Sequence, residues 1–406
     1  MTATDVEAFL APRMARFVPS ITNATSQRAR EMIAAGIDVI RLSSGEPDFS
    51  TPPHIGEAAI AAIRAGFTHN TNIDGMPELK EAVARKFERE NDLHYSVDEI
   101  GVATGSKQII FNALMATVGS GDEVLIPTPY WVSYPDMVQV AGGTPVFVPT
   151  RPEKGFVLDA ADLEAAITPR TKWLIINNPG NPSGAVWDRE SLRQIADVIA
   201  RHPHVWVMTD DIYEHLVYDN AVVCAFAAVA PELKPRTLTV NGLSKAYCMT
   251  GWRIGFAGGP KGLISAIRKL QSQETSNPNS IAQHAAVAAL DGPKEFMAEN
   301  NRRFKARRDL VVSRLDACPG LSCRMPRGAF YAFADCTALL GKSSPGGHPI
   351  ETDVDFCEYV LTEHHVALVP GTAFGMPGHV RLSYAASEQE LEEACIRIAR
   401  AVEQLG

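Results

Sequence analysis

The chain has 406 residues, of which 46% are hydrophobic and 21% charged, with a formal net charge of -9. This is ordinary composition for a soluble globular protein, and the length allows two domains with a sizeable core. The negative charge disfavours nucleic acids and anionic membranes as partners.

The N-terminal stretch MTATDVEAFLAPRMARF lacks the long apolar core of a signal peptide. No apolar run in the sequence is long enough to span a bilayer. The seven cysteines are scattered without CxxC pairs, which favours reduced thiols over a disulfide framework. We therefore expect a cytoplasmic protein without a metal site.

The N-terminal part predicts a helix, a loop at Pro19–Thr22, a second helix that ends near Gly36, and a short strand at Asp38–Leu42. From about residue 54, short apolar strands alternate with helices. Strands are predicted at Ile100–Ala103, Glu123–Ile126, Pro145–Val148, Trp173–Asn177, Val205–Met208 and Thr237–Asn241. This alternation predicts an α/β fold, a mostly parallel sheet with helices on both faces.

After about residue 295 the pattern changes to long charged helices and a few strands. Helices are predicted at Phe296–Leu315, Asp353–His364 and Glu388–Leu405, and strands at Gly328–Ala334, Val366–Val369 and His379–Tyr384. We expect a large domain at 48–295. A smaller α+β domain would combine 1–47 with 296–406, the N-terminal segment packing with the C-terminal part.

Five polar clusters follow predicted strands or open the helices after them, at Gly105, Trp131, Asn181, Asp210 and Lys245. Ligands of open α/β sheets bind beyond the carboxyl ends of the strands. We therefore expect these five loops to converge on one site.

Lys245 follows a strand and is surrounded by small and aromatic residues in GLSKAY. Partial desolvation of the ammonium lowers its pKa and makes the neutral amine accessible, which a lysine needs to form a Schiff base with an aldehyde. Arg253, on the next apolar run, is suited to a phosphate. The alternative is a surface lysine in a loop, with Arg253 paired to a carboxylate.

Each of the other candidates also has a structural and a functional interpretation. Asp210 could hold a protonated ring nitrogen or cap a turn. Tyr213 and Asn181 could each form a hydrogen bond with a phenolic oxygen. Alternatively, Tyr213 packs in the core and Asn181 stabilises a turn. Trp131 could stack on an aromatic ring or belong to the core.

The turn Gly105-Ser106-Lys107 opens a helix, where backbone N–H groups suit a phosphate, and Ser244 could complete that site. Arg381, in the middle of a strand, needs an anion, either a structural carboxylate or a substrate. An aldehyde, a protonatable ring nitrogen, a phenolic oxygen and a phosphate together describe pyridoxal phosphate.

The sequence resembles the class I aminotransferases, and within them the bacterial aspartate aminotransferase subgroup, over nearly its whole length. The resemblance is carried by SSGEPDF (43–49), DGMPEL (74–79), TGSKQIIFNAL (104–114), PYWVSYP (129–135), NNPGNPSGAV (177–186), TDDIYEHLVY (209–218), SKAYCMTGWRIGFAGGP (244–260) and HVRLSYAAS (379–387). It implies the fold of the pyridoxal-phosphate-dependent transferases and a homodimer with active sites shared across the interface.

The resemblance also implies a role for each candidate. It implies that Lys245 is the Schiff-base lysine and proton carrier, and that Asp210 pairs with the ring nitrogen of the cofactor. The other cofactor contacts that it implies come from Gly105, Ser106, Lys107, Trp131, Asn181, Tyr213, Ser244 and Arg253. The substrate contacts that it implies come from Arg381, Gly45, Asn181, Trp131, Thr22 and Lys107.

Thr22 and Lys107 match positions that favour an acidic substrate in this subgroup, since Lys107 offers a positive charge to a distal carboxylate. The resemblance thus implies transfer of the amino group of L-aspartate to 2-oxoglutarate by a ping-pong mechanism. Asn70 stands where relatives usually carry a tyrosine that reaches the neighbouring subunit's phosphate. Val18 stands where relatives that use prephenate tend to carry lysine.

The alternatives within this fold are aminotransferases for aromatic, arginine–pyruvate, alanine or prephenate substrates, and a β-lyase. A non-catalytic regulator that binds pyridoxal phosphate is disfavoured by the short segment before Gly45 and by the negative charge. A dehydrogenase is disfavoured because no GxGxxG motif follows an early strand.

Overall fold

The computed structural model of the chain describes residue 6, residues 8–16 and residues 21–406. The α-helices are α1 (Ile21–Ala34), α2 (Pro53–Arg64), α3 (Pro77–Asn91), α4 (Ser106–Thr117), α5 (Ser133–Val140), α6 (Ala160–Ala166), α7 (Arg189–Arg201), α8 (Phe226–Val229), α9 (Lys261–Gln271), α10 (Ser280–Asp291), α11 (Glu295–Asp316), α12 (Asp353–His364) and α13 (Glu388–Glu403). The strands are β1 (Ile40–Arg41), β2 (Ile100–Ala103), β3 (Glu123–Thr128), β4 (Thr144–Pro149), β5 (Thr171–Asn177), β6 (Trp206–Asp210), β7 (Thr237–Gly242), β8 (Gly255–Gly258), β9 (Ser322–Cys323), β10 (Tyr331–Asp335), β11 (Val366–Ala367), β12 (Val369–Pro370) and β13 (His379–Ser383).

The central sheet has seven strands in the order β2-β8-β7-β6-β5-β3-β4. The pairs from β7 to β4 are parallel, and β8 alone runs antiparallel, to both β7 and β2. The prediction of a mostly parallel α/β sheet is confirmed. Because all strands except β8 run in one direction, their carboxyl ends share one edge of the sheet.

Helices cover both faces of this sheet. On β5, Leu174 and Ile176 face one apolar core, whereas Trp173 and Ile175 face another. Since successive side chains of a strand alternate between faces, a strand covered on both sides is apolar throughout. This explains why the central strands were easily recognised in the sequence.

Helix α7 shows how a covering helix is specified. The side chain of Asp188 accepts a hydrogen bond from the backbone N–H of Ser191 and caps the first turn. Leu192, Ile195 and Ile199 lie on one face of the helix and are buried against the sheet.

A second body of structure follows α11. It contains a four-stranded sheet in the order β12-β13-β10-β9. In a separate two-stranded sheet, β1 pairs in parallel with β11, with Ile40 opposite Val366 and Arg41 opposite Ala367. This pairing joins the N-terminal segment to the second body. The domain boundaries at 48 and 295 stay a prediction.

Three details differ from the sequence predictions. The single strand expected at Val366–Val369 is two short strands, because β11 pairs with β1 and β12 pairs with β13. The apolar run at 252–257 forms a strand only from Gly255, and Arg253 lies in the preceding turn with a φ of 56°. Thr22 lies in α1 rather than in a loop.

Within residues 6, 8–16 and 21–406, no helix is long and apolar enough to cross a membrane.

Candidate active site

A cavity of about 340 Å³ lies at the carboxyl edge of the central sheet, where it meets β10 and β13. All but two of the predicted site residues line it, namely Gly45, Ser106, Lys107, Trp131, Asn181, Asp210, Tyr213, Ser244, Lys245, Arg253 and Arg381. Gly105 immediately precedes the lining residue Ser106. Thr22 lies in α1, and its side chain is outside the part that the structure describes.

Lys245 lies three residues beyond the end of β7, with its amine in the cavity. Its Nζ donates a 2.6 Å hydrogen bond to the backbone oxygen of Gly45. Burial lowers the pKa of the amine to about 8, against the opposing effect of the Glu46 carboxylate. The neutral, nucleophilic amine is therefore more accessible near neutral pH than that of a solvated lysine.

Asp210 is the last residue of β6 and is buried. Its Oδ2 accepts a 2.7 Å hydrogen bond from the hydroxyl of Tyr134, whereas its Oδ1 has no partner among the described residues. Burial raises the pKa of this carboxyl group to about 6, while the Tyr134 hydrogen bond and the charge of Lys245 oppose the rise. A buried, unsatisfied carboxylate oxygen is costly without a partner, and a protonated ring nitrogen would supply one.

The turn before α4 forms a cradle beside Arg253. Gly105 has a φ of 87°, and a Cβ atom there would lie 2.4 Å from Nη2 of Arg253. A Cβ on Gly255, in β8, would lie 2.1 Å from the backbone nitrogen of Ser106. Both glycines thus allow a close approach of backbone and guanidinium, and the helix N-terminus beside Arg253 suits a phosphate.

Arg381 is buried in β13 and has no ion pair in the described part of the chain. Nη1 donates to Oδ1 of Asn181 at 3.1 Å, Nη2 donates to the backbone oxygen of Ser43 at 2.8 Å, and Nε lacks a partner. Burial lowers the pKa of this guanidinium group. Of the two anions that the sequence left open, a structural carboxylate is not found among the described residues, so a substrate carboxylate is the anion that fits.

Lys107 and Trp131 form one wall of the cavity. Nζ of Lys107 lies 4.8 Å from the centre of the Trp131 ring, a cation–π contact. The pKa of this ammonium group is lowered by burial and by Arg253, and raised by Asp136. Lys107 has no ion pair within the described residues, so its positive charge is available to a ligand.

Two tyrosines of the site were not identified from the sequence. Tyr134 reaches Asp210 from α5, 76 residues away in the chain. Tyr331, in β10, brings its hydroxyl within 2.9 Å of the Tyr213 hydroxyl across 118 residues. Neither residue follows the carboxyl end of a strand of the central sheet, so the pattern of polar residues after strands does not mark them. Tyr331 opens β10 and is a diagonal neighbour of Arg381 on β13, a relationship that depends on the register of the two strands.

The residues present fit pyridoxal phosphate. A partly desolvated amine, an acid with one free oxygen, a cradle beside a guanidinium and an aromatic wall lie around one cavity. These are the groups that an aldehyde, a ring nitrogen, a phosphate and a ring face require.

Comparisons with known proteins agree with this site. Residues 37–398 match the family Aminotransferase class I and II. The chain is 55% identical to an aspartate aminotransferase of Rhizobium meliloti, covering 93% of this chain and 92% of the relative. It is also 55% identical to an aspartate/prephenate aminotransferase of Cereibacter sphaeroides, over 96% of this chain and 98% of that relative. The crystal structure of the Rhizobium meliloti aspartate aminotransferase superposes with a TM-score of 0.95 at 53% identity, covering 98% of this chain and 99% of that one.

Proposed function

Because the chain belongs to the class I and II aminotransferases, which depend on pyridoxal phosphate, we propose that it transfers the amino group of L-aspartate to 2-oxoglutarate. The products are oxaloacetate and L-glutamate, formed in two half-reactions of a ping-pong cycle. The observation that carries the choice of substrate is that Arg381 and Lys107, neither of which has an ion pair among the described residues, line one cavity.

Aspartate and 2-oxoglutarate are both dicarboxylates. In this proposal the buried guanidinium of Arg381 binds the α-carboxylate, with Asn181 and Gly45 beside it, and Lys107 binds the distal carboxylate. Because Arg381 is buried and has no ion pair among the described residues, it gains more from an anionic ligand than a solvated cation does. Neutral side chains such as that of alanine would leave Lys107 unpaired.

The cofactor's position follows from the residues that fit it. Asp210 would pair with the ring nitrogen, Tyr213 and Asn181 with the phenolic oxygen, and Trp131 with the ring face. Ser244, Arg253 and the turn 105–107 would hold the phosphate. When bound, pyridoxal phosphate supplies the aldehyde that takes up an amino group and a ring that accepts electron density from the donor's Cα.

Lys245 is the proposed proton carrier. Its neutral amine accepts the proton from Cα of the amino donor and holds it at Nζ until it is returned on the product side. A base whose pKa lies near the operating pH is efficient in both directions, and a pKa of about 8 meets that requirement. The carboxylate of Asp210 stabilises positive charge at the ring, which favours loss of that proton.

A panel of amino donors tests the proposal. Initial rates are measured with aspartate, alanine, phenylalanine and arginine, each with 2-oxoglutarate and separately with pyruvate. We expect kcat/KM for aspartate with 2-oxoglutarate to exceed that for alanine at least about tenfold, the value of one charge-assisted hydrogen bond. A faster neutral or aromatic donor would contradict aspartate, and release of pyruvate and ammonia without glutamate would indicate a β-lyase.

Prephenate is the second candidate substrate, because the Cereibacter sphaeroides relative is named an aspartate/prephenate aminotransferase. Val18, where users of prephenate tend to carry lysine, weighs against it, and this position lies outside the described residues. Prephenate as amino acceptor from aspartate belongs in the same panel, and a kcat/KM comparable to that of 2-oxoglutarate would establish it.

We further propose that the protein is a cytoplasmic homodimer. Each subunit has a large domain of residues 48–295 and a small domain that combines residues 1–47 with residues 296–406. Ile60, Ile63 and Phe67 expose large apolar side chains along and just after α2, which favours a covered surface. All seven cysteines are free, which favours a reducing compartment. Light scattering after gel filtration tests the dimer, and a monomer mass at micromolar concentration would rule it out.

A further inference from the structure

Tyr331 connects two parts of the site that the mechanism treats separately. Its hydroxyl lies 2.9 Å from the hydroxyl of Tyr213, and both side chains line the cavity. Its ring lies against Arg381, whose Cζ is 4.6 Å from the ring centre. Tyr331 therefore contacts both the group expected to face the cofactor oxygen and the group expected to bind the substrate carboxylate.

The fold fixes this arrangement. Strands β10 and β13 pair antiparallel, with Tyr331 opposite Ser383 and Phe333 opposite Arg381. Diagonal neighbours on one face of such a pair are within reach of long side chains. The Tyr331 hydroxyl is further confined by Gly45, because a Cβ atom there would lie 3.1 Å from it. With 1% of its surface exposed, Tyr331 has little freedom to turn away.

The geometry leaves the direction of the hydrogen bond open, but the charges decide it. Arg381 stacks on the Tyr331 ring and withdraws electron density from it, which strengthens the Tyr331 hydroxyl as a donor. Tyr213 has no such cation on its ring at that distance; Lys245 Nζ lies 5.9 Å away. Burial and Tyr331 raise the pKa of Tyr213 well above its usual value, with Asp210 adding to the rise and Arg381 opposing it. Burial also raises the pKa of Tyr331, but there Arg381 is the largest opposing effect, so Tyr213 is the weaker acid. Tyr331 is thus the donor and Tyr213 the acceptor.

We propose that Tyr331 is a positioning residue that donates to the Tyr213 hydroxyl and so keeps the Tyr213 proton directed at the phenolic oxygen of the cofactor. If Tyr213 donated to Tyr331 instead, its proton would be unavailable for the cofactor. Hydrogen bonds in series also polarise one another, so the bond from Tyr331 strengthens the one that Tyr213 donates to the phenolic oxygen. The inference rests on the proposed cofactor, but it does not depend on which amino acid is the donor.

The test is a pH titration of the absorbance of the cofactor-loaded enzyme without any amino or oxo acid. The substitution Tyr331→Phe keeps the ring against Arg381 and removes only the hydroxyl. A weaker Tyr213 donor stabilises the phenolate form less, so the bound cofactor holds its proton to higher pH. We expect the midpoint of the absorbance titration to rise by about half a pH unit in Tyr331→Phe, the shift that corresponds to the loss of one neutral hydrogen bond.

Two further variants make the result specific. Tyr359→Phe removes another buried hydroxyl, which donates to the backbone oxygen of Ala401 at 3.0 Å in α13, and should leave the midpoint unchanged. In a Tyr213→Phe background, Tyr331→Phe should add nothing, because its effect passes through Tyr213. An unchanged or lowered midpoint in Tyr331→Phe, or a full additional shift in the double variant, would overturn the inference. Failure of aspartate as donor would leave this titration unaffected.

Discussion

The hydroxyl of Tyr134 donates a 2.7 Å hydrogen bond to Oδ2 of Asp210, and both side chains are buried. The bond leaves Oδ1 as the only oxygen of that carboxylate free to face a ligand. Burial raises the pKa of this carboxyl group, and the Tyr134 hydrogen bond opposes that rise, so that the pKa is about 6 with the bond in place. Tyr134 thus helps to keep Asp210 ionised at neutral pH.

The substitution Tyr134→Phe is therefore expected to raise the pKa of Asp210 above about 6. Near pH 7 a larger fraction of the carboxyl group is then protonated and cannot stabilise a protonated ring nitrogen. We expect kcat at pH 7 to fall about tenfold, since a hydrogen bond to a charged group is involved, and to recover in part towards pH 8.5. The measurement is the pH profile of kcat; a uniform loss at every pH would mean that only packing was disturbed.

Glu46 lines the same cavity as Lys245 and affects the acidity of its amine. Its carboxylate raises the pKa of the amine, against the larger effect of burial. The substitution Glu46→Gln should lower that pKa below about 8, by about one pH unit or less, because Glu46 is exposed and its charge is screened by solvent. The neutral amine then persists to lower pH.

This shift can be followed without turnover. Borohydride trapping of an added aldehyde on Lys245 is measured against pH for both proteins. The rate in Glu46→Gln should keep its alkaline value down to a lower pH than in the parent. Asp98→Asn, which removes an exposed carboxylate paired with Lys261, serves as the control. If the trapping rate depended on pH in the same way in Glu46→Gln and in the parent, the Glu46 carboxylate would have no electrostatic effect on Lys245.

The central sheet and most of its site were predictable, because parallel strands covered on both faces are apolar and end in polar loops. Asp210 ends one such strand and Lys245 follows another by three residues, so the sequence alone places them at one edge. The family motifs then assigned their expected roles. Only the assignment of roles, not the placement, required the resemblance.

The remaining contacts could not be read in the same way, because they depend on packing between distant segments. Tyr134 and Tyr331 carry no local signal, and their partners are set by how α5 and β10 meet the sheet. Arg253 was expected on a strand, yet it lies in a turn with a left-handed backbone, which brings its guanidinium over Gly105. Such a conformation costs free energy that only the surrounding fold can offset.

Asn70 is exposed and lies in the segment before α3. The resemblance to the aminotransferases implies a tyrosine here that reaches the phosphate of the neighbouring subunit in a homodimer, and the shorter asparagine offers less reach. The substitution Asn70→Tyr should therefore lower the dissociation constant of pyridoxal phosphate severalfold, the worth of about one hydrogen bond. Equilibrium dialysis of the parent and the variant measures it, with His69→Tyr as a neighbouring control; equal constants for Asn70→Tyr and parent would remove the idea.

Lys86 and Glu214 form a buried ion pair beneath the active site. Glu214 also accepts hydrogen bonds from Asn91 at 2.5 Å and from Asn241 at 2.8 Å, the latter at the end of β7. Although burial opposes it, the charge of Lys86 helps to hold the pKa of Glu214 below its usual value. The pair therefore contributes stability that is present above about pH 4.5 and is lost as the pH falls through the lowered pKa.

The substitution Lys86→Met leaves the Glu214 carboxylate buried and under-compensated. We expect the free energy of unfolding at pH 8 to fall by about 3 kcal/mol, and the deficit to shrink towards pH 5 as Glu214 takes up a proton. Urea unfolding at both pH values measures this. Lys305→Met, which removes exposed pairs with Asp309 at 2.8 Å and Asp219 at 3.3 Å, should change stability little at either pH, because solvent screens such pairs. A deficit of equal size at pH 5 and pH 8 would show that lost packing dominates.

Lys107 distinguishes a dicarboxylate enzyme from one that accepts neutral side chains. Its ammonium group rests on the Trp131 ring and has no ion pair among the described residues, so a distal carboxylate would be its counter-ion. The substitution Lys107→Met should lower kcat/KM for aspartate about 30-fold, the worth of a charge-assisted hydrogen bond, and change that for alanine less than about threefold. Lys261→Met, on the exposed first turn of α9, is the matched control and should affect neither donor. Because Lys107 also follows the turn at Gly105, an equal loss for both donors would assign its charge to the phosphate instead of the substrate.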